Sequence, residues 1–234
     1  MSLLKDKQIF LRSKKVWEKN YKLFPGTKLN FPNENLVRIF CGNYVKVPLP
    51  PARIMDHGFG DGNNLAFFSS KGYKCSGCEI SEYFIEMVKE YFRSIKKRID
   101  LRQIKGQKIP FASNNFDIVV SWNAIHYIGM RKAVEKIISE IYRVLKPGGV
   151  LLLSTISPKS VILKRMENLG NGSYLIQKKS NYDNREGLTY FVAKSPKDLT
   201  SLFNKFSEVK SGSVSSDLFK PLRRIDCLLI YAVK

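Results

Sequence analysis

Residues 54 to 64 read Ile-Met-Asp-His-Gly-Phe-Gly-Asp-Gly-Asn-Asn, an apolar run that ends in a turn with glycine at 58, 60 and 62. Glycine removes the Cβ where a chain must turn sharply and bring its backbone close to a ligand. A helix starting just after such a turn offers unpaired N–H groups to the same space. A second apolar run ends at Glu79, 21 residues past Gly58, and a carboxylate at the carboxyl end of a strand can accept hydrogen bonds from both hydroxyls of a ribose. Asp56 stands two residues before the first glycine. Its charge repels pyrophosphate and suits a cationic ligand carrying an ammonium or sulfonium. Two phosphate-binding patterns are missing: position 63, where a dinucleotide loop has its third glycine, is asparagine, and no Gly-Lys-Ser/Thr occurs. These residues point to a nucleoside that bears a positive charge.

The elements around the loop follow from periodicity. Arg53 to His57, Lys74 to Glu79, Ile99 to Ile104, Asp117 to Trp122, Val150 to Thr155 and Ile225 to Val233 are predicted strands. Phe84, Val88, Tyr91, Phe92 and Ile95 recur with helical period behind a capping Ser81, and Val134, Ile137, Ile138, Ile141 and Leu145 do so before Lys146-Pro147-Gly148-Gly149. Ser195-Pro196-Lys197-Asp198 predicts a further helix start, with Leu199, Leu202, Phe203 and Phe206 on one face. Strands alternating with helices predict a doubly wound α/β domain with a mostly parallel sheet. The first 50 residues read as a helical prelude, with Val16, Trp17, Asn20 and Tyr21 on one stripe and a second segment from Glu34 to Val45. The domain proper runs from 51 to 234, interrupted at 157–190 by a polar, basic stretch with Arg165, Tyr174, Tyr182, Arg185 and Tyr190, read as a substrate loop.

Taken in order, these motifs resemble the class I S-adenosylmethionine-dependent methyltransferases, and within them the small-molecule enzymes of the type 11 kind. Asp56-x-Gly58-x-Gly60-x-Gly62 looks like their first motif and Glu79-Ile80-Ser81 like their ribose-binding strand end. Ile109-Pro110-Phe111 with Phe116-Asp117-Ile118-Val119 is similar to their third-to-fourth strand region, and Arg143-Val144-Leu145-Lys146-Pro147-Gly148-Gly149 to their turn into strand five. The resemblance implies a seven-stranded Rossmann-like sheet, S-adenosyl-L-methionine as cofactor and S-adenosyl-L-homocysteine as product. It implies that Asp56 and the backbone around Gly58 hold the methionine part, with Gly60 and Gly62 in the same cofactor loop. Glu79 then holds the ribose, Ile80 lies on the adenine face, and Asn123 stands near the donor methyl. The segment Asn33 to Arg38 looks like one that precedes the domain in some relatives acting on sugars or other small metabolites. The prelude then becomes a lid carrying Tyr21 and Arg38 to the cofactor, Arg38 to its carboxylate. Two positions depart from the pattern: Phe59 stands where the family commonly has cysteine, and Gln103, Lys105, Gln107 and Lys108 stand where it often has an acid for the adenine amino group.

Methyl transfer from a sulfonium needs alignment and exclusion of water, with a base when the acceptor is a hydroxyl. His126, three residues past Asn123, is the candidate base. With 234 residues and 44% hydrophobic content the chain buries a core of its own, which excludes a disordered or low-complexity class. Two histidines, four cysteines and a single Cys75-x-x-Cys78 exclude a metal site and a disulfide framework. The 40 basic against 20 acidic residues give a net charge of +20, which favours an anionic partner. Because 28 of the 40 are lysines scattered along the chain rather than gathered in a stripe, nucleic acid is not the favoured one. No apolar run approaches the length of a membrane span and the start lacks a signal-like stretch, so a cytoplasmic protein is expected. The leading expectation is a methyltransferase for a small, anionic acceptor such as a sugar or nucleotide-linked sugar. An RNA or protein methyltransferase and a non-catalytic S-adenosylmethionine-binding protein are the alternatives.

Overall fold

The structure, a computed structural model, describes residues 2–23, 31–177, 185–216 and 225–234. Seven strands form the main sheet: β1 (Arg53–His57), β2 (Lys74–Glu79), β3 (Asp100–Gln103), β4 (Phe116–Trp122), β5 (Leu145–Ile156), β9 (Glu208–Ser216) and β10 (Ile225–Val233). Their order across the sheet is β3-β2-β1-β4-β5-β10-β9. β1 to β5 pair in parallel, while β10 runs antiparallel to both β5 and β9. The carboxyl ends of β1, β2 and β4 therefore open on one edge, with the order reversing at β1. Ligands of doubly wound sheets sit at such a reversal.

The sheet is buried on both faces. On one, α5 (Arg131–Val144) lays down Val134, Ile137, Ile138 and Ile141, all buried, as the helical stripe predicts. α6 (Pro196–Thr200) follows, with the Ser195 hydroxyl accepting from Asp198 N–H at 3.1 Å as the expected cap. On the other face lie α2 (Glu34–Cys41), α3 (Asn63–Ser70) and α4 (Glu82–Ser94), whose Leu36, Phe68, Phe84 and Val88 share one core with Ile54 and Ile118. Of the stripe expected on α4, Tyr91 and Ile95 face solvent, and Ile85 is buried instead. Ser81 occupies the N-cap position of α4 without capping it. Its hydroxyl donates to Glu18 Oε1 at 2.9 Å, on α1 (Ser2–Leu23).

The stretch read as a loop contains structure. β6 (Met166–Gly170), β7 (Ser173–Ile176) and β8 (Thr189–Phe191) form a small antiparallel sheet between β5 and α6. Ile156, Ile176, Leu188, Tyr190 and Val192 build a third core beneath it. Tyr182 lies outside the described residues.

Candidate active site

Gly58, Gly60 and Gly62 all take positive φ, at 70°, 52° and 79°, which side-chain-bearing residues adopt at a cost of roughly 1–2 kcal/mol. They play different parts. A Cβ on Gly58 would stand 2.6 Å from Ala124 Cβ, so the backbone here is pressed against the residue after Asn123, and both line a cleft at the strand ends. Gly60 turns its N–H to Glu79 Oε2 at 3.1 Å. Gly62 is buried away from the cleft, where an added Cβ would strike Val88 of α4 at 2.7 Å. It sets the packing of α3 on α4 rather than a ligand contact.

Phe59 accounts for one departure from the family pattern. Its ring fills the space a Cβ on Gly77 would take, 2.6 Å away, so the larger side chain is matched by a glycine on β2.

Glu79 lines the cleft while only 8% exposed. Oε1 accepts from Ile80 N–H at 2.7 Å and Ser81 N–H at 3.4 Å. Burial raises its pKa, and the N–H groups of Gly60, Ile80 and Ser81 oppose that rise. Asp56 lies beneath the loop and does not line the cleft. Its Oδ2 has no partner among the described residues. Burial, then repulsion from Glu79 and Asp61, pushes its carboxyl well above the usual range, while the Asn64 side chain pulls it back.

Asn123, with φ 53°, lines the cleft beside Ala124. Its N–H donates to Ser154 Oγ at 2.9 Å, and its Oδ1 accepts from that hydroxyl at 2.8 Å, fixing the end of β4 to β5. Ile80 also lines the cleft, next to Gln103, whose amide donates to the Ile80 carbonyl at 3.2 Å. His57 lines it too, but its Nδ1 lies 3.0 Å from Ser121 Oγ and burial lowers its pKa to about 4.

Besides Asp56 and Gly62, two further expected residues, His126 and Arg38, do not line the cleft. His126 sits in a 3₁₀ helix, Ile125–Ile128, with its ring 5.1 Å from that of Tyr190 and 4.1 Å from that of Tyr127. It is 5% exposed, and burial followed by the positive Arg185 lowers its pKa to about 3. Tyr127 and Ile128 line the cleft in its place. Arg38 is exposed on α2, because Leu36 two positions earlier is fully buried and two residues turn a helix through about 200°. Tyr21 falls within α1, but its side chain lies outside the described residues.

Sequence reasoning missed most of the wall that α1 supplies. Leu11, Lys14 and Trp17 line the cleft at a spacing of three, a helical face that the apolar stripe alone does not mark. Trp17 meets Tyr127 edge-on at 4.9 Å, and Ser13 Oγ donates to the Tyr127 carbonyl at 3.4 Å. The cleft measures about 1210 Å³, and Trp122 and Phe31 complete its aromatic wall. Its charged lining comprises Glu34, Asp61, Glu79 and Glu82 against Lys14 and Lys105. An excess of carboxylates, a glycine loop pressed close and a carboxylate at the end of β2 fit a cationic nucleoside with room for a second molecule.

Residues 55–153 match the family described as a methyltransferase domain. Among curated proteins the chain is 30% identical over 146 residues to the ubiquinone/menaquinone biosynthesis C-methyltransferase UbiE of Geotalea daltonii, covering 59% of this chain and 60% of that one. It is 30% identical over 133 residues to the sterol 4-C-methyltransferase strm-1 of Caenorhabditis elegans, covering 56% and 38%. The chain thus spans 60% or less of the length of these relatives. A SAM-dependent methyltransferase from Methanosarcina mazei superposes with a TM-score of 0.67 at 21% identity, over 83% of this chain and 96% of its own. Phosphoethanolamine N-methyltransferase 2 of Haemonchus contortus, solved with phosphomonomethylethanolamine and S-adenosylhomocysteine, gives 0.62 at 19% identity, over 92% and 56%. The chain thus carries a segment similar to the methyltransferase-domain family, within a fold it shares with S-adenosylmethionine-dependent methyltransferases of known structure.

Proposed function

We propose that the chain transfers a methyl group from S-adenosylmethionine to a small organic acceptor held in the cleft between α1 and the strand ends. The observation that carries this reading is Glu79: a carboxylate on the cleft wall, fixed by the N–H groups of Gly60, Ile80 and Ser81, where ribose hydroxyls would find it. The donor supplies an electrophilic methyl on a sulfonium. The chain's own part is to orient and to exclude water, for which the Gly58 backbone, Asn123 and the Trp17–Tyr127 wall are placed.

The acceptor side is aromatic and aliphatic, through Trp17, Phe31, Trp122, Tyr127 and Leu11. That supports an acceptor with a substantial apolar face, in line with the quinone and sterol pathways for which the curated relatives are named. A sugar or nucleotide-linked sugar is compatible only through its C–H face. An RNA or protein acceptor has the net charge of +20 in its favour, but the carboxylates Glu34 and Glu82 on the cleft wall repel a phosphate backbone. Calorimetric titration with S-adenosylmethionine and S-adenosylhomocysteine, followed by a screen of apolar, sugar and RNA acceptors for methyl incorporation, tests the reading. Micromolar binding of both nucleosides with turnover on a small acceptor supports it. Binding without turnover on any acceptor class favours a non-catalytic binding protein, and no binding by a folded sample removes the donor site.

A further inference from the structure

The two ends of the parallel strands differ in charge. At their carboxyl ends the cleft is lined by Glu34, Asp61, Glu79 and Glu82 against Lys14 and Lys105. The amino ends of β1, β2 and β3 form a basic edge on the far side of the sheet. α4 runs back to that edge, and residues 91–99, which end the helix and lead into β3, read Tyr-Phe-Arg-Ser-Ile-Lys-Lys-Arg-Ile, four bases without an acid. Lys97 Nζ donates to the Ser69 carbonyl at 2.8 Å, near the end of α3, and so joins this segment to the turn from α3 into β2. That turn adds Lys71 and Lys74, both exposed, as are Arg93, Lys96, Lys97 and Arg98. Of these six bases only Arg93 is in an ion pair among the described residues, a long one of 4.0 Å to a Glu86 that Lys89 already holds at 2.8 Å.

Two apolar side chains stand among these bases. Tyr91 and Ile95, one helical turn apart at the end of α4, are 48% and 41% exposed. The helix buries Phe84, Ile85, Val88 and Phe92 and leaves these two on its outer face. Six bases around an exposed aromatic and an exposed aliphatic side chain are complementary to an anionic lipid surface, where cations meet the headgroups and apolar side chains enter the boundary with the acyl chains. Four of the six bases are lysines, compact charges suited to a diffuse layer of headgroups. A single-stranded RNA site stacks its bases on aromatic rings, for which Ile95 has no use.

We propose that the amino edge of the sheet, comprising Lys71, Lys74 and residues 91–98, is a docking surface for an anionic lipid bilayer, with Tyr91 and Ile95 entering the headgroup layer. The same bilayer repels the carboxylates at the opposite edge, so the chain docks with its cleft turned to water.

The test is co-sedimentation of the full chain with vesicles of phosphatidylcholine alone and of phosphatidylcholine mixed with phosphatidylserine. The wild type should bind the mixed vesicles at least tenfold more tightly than the neutral ones, and added salt should weaken that binding. Arg93→Gln/Lys96→Gln/Arg98→Gln should lose at least tenfold in affinity for the mixed vesicles. Lys132→Gln/Lys136→Gln/Lys205→Gln removes the same charge from exposed positions elsewhere and should lose far less. Equal losses from the two triple variants would reduce the effect to net charge and overturn the assignment. Tyr91→Ser/Ile95→Ser should weaken the binding that survives in high salt, and unchanged binding there would overturn the insertion. Melting temperature and titration with S-adenosylhomocysteine, which should match the wild type in every variant, control for folding. A wild type that sediments with neither vesicle but retains an RNA oligonucleotide, with retention lost in the first triple variant, overturns the bilayer in favour of nucleic acid. Binding to none of the three overturns the docking surface altogether.

Discussion

Glu79 and Gly60 tie the ends of two neighbouring strands together: the Gly60 N–H donates to Glu79 Oε2 at 3.1 Å, across the gap between the loop after β1 and the end of β2. The glycine loop is thus held by the same carboxylate that is proposed to meet the ribose. Glu79→Ala removes both functions. Each hydrogen bond to a charged group contributes roughly 1.5–3 kcal/mol, so affinity for S-adenosylmethionine should fall at least tenfold. Titration of the variant checks this, and unchanged affinity would take Glu79 out of the site.

Gly58 is held to glycine twice over. Its φ of 70° is unfavourable for any side chain, and an added Cβ would lie 2.6 Å from Ala124 Cβ. Gly106 shares the first constraint, with φ 83°, but an added Cβ there meets nothing within 4 Å. Gly106→Ala should therefore cost only the backbone strain, about 1–2 kcal/mol. Gly58→Ala should cost more, and the difference measures the contact with Ala124. At roughly 2–4 °C per kcal/mol for a chain of this size, melting curves of the two variants will separate them. Equal melting temperatures would mean that the loop gives way without penalty.

The residues that were legible from sequence, and those that were not, divide on physical grounds. The bounds of β1, β2 and β10 match the predicted strands because each apolar run is cut off by residues of opposite character at both ends. β9 was missed because Glu208–Ser216 holds two valines among serines, lysine and glycine, and its residues lie exposed or half-buried along an edge. β6 was missed for the same reason, with four of its five residues exposed. At the site, Glu79, Ile80, Gly58, Gly60 and Asn123 converge on the cleft because strand ends and the turn that follows them have little freedom. His126 was misread because a 3₁₀ turn advances about 120° per residue, so its neighbours Tyr127 and Ile128 reach the cleft while the imidazole turns inward to Tyr190.

The two histidines make the fold sensitive to acid. His57 and His126 are buried, with pKa values lowered from 6.5 to about 4 and about 3. The unfolded chain binds their protons near pH 6.5, and the native state does not until the lower values are reached. Stability from these groups is therefore complete above pH 6.5 and is lost as pH falls, down to about 4 for His57 and about 3 for His126. His126→Phe should flatten the fall in melting temperature between pH 6 and 4 by about one proton's worth of slope. Because His126 does not line the cleft, the same variant should keep the pH profile of methyl transfer. A loss of one limb of that profile would restore the imidazole to the role of base expected from sequence.

Arg143 fixes the segment that follows β3. Its guanidinium donates to the carbonyls of Ile109 and Phe111, each at 2.8 Å, and to Glu140 Oε2 at 2.7 Å, while Glu140 accepts from Ile109 N–H at 3.0 Å. No helix lies between β3 and β4, so these bonds replace helical packing in holding residues that lead into the cleft through Ile104 and Gln107. Arg143→Ala leaves two backbone carbonyls and a carboxylate without this partner. The Arg143 side chain is 29% exposed, so water recovers part of the loss, and the cost should be about 1–3 kcal/mol. The telling measurement is a pair: melting temperature, and affinity for S-adenosylmethionine at a temperature where both proteins are folded. If the segment helps to hold the adenine side of the donor, both fall. If only the melting temperature falls, Arg143 stabilises the fold without shaping the cleft, and residues 104–107 contribute nothing to donor recognition.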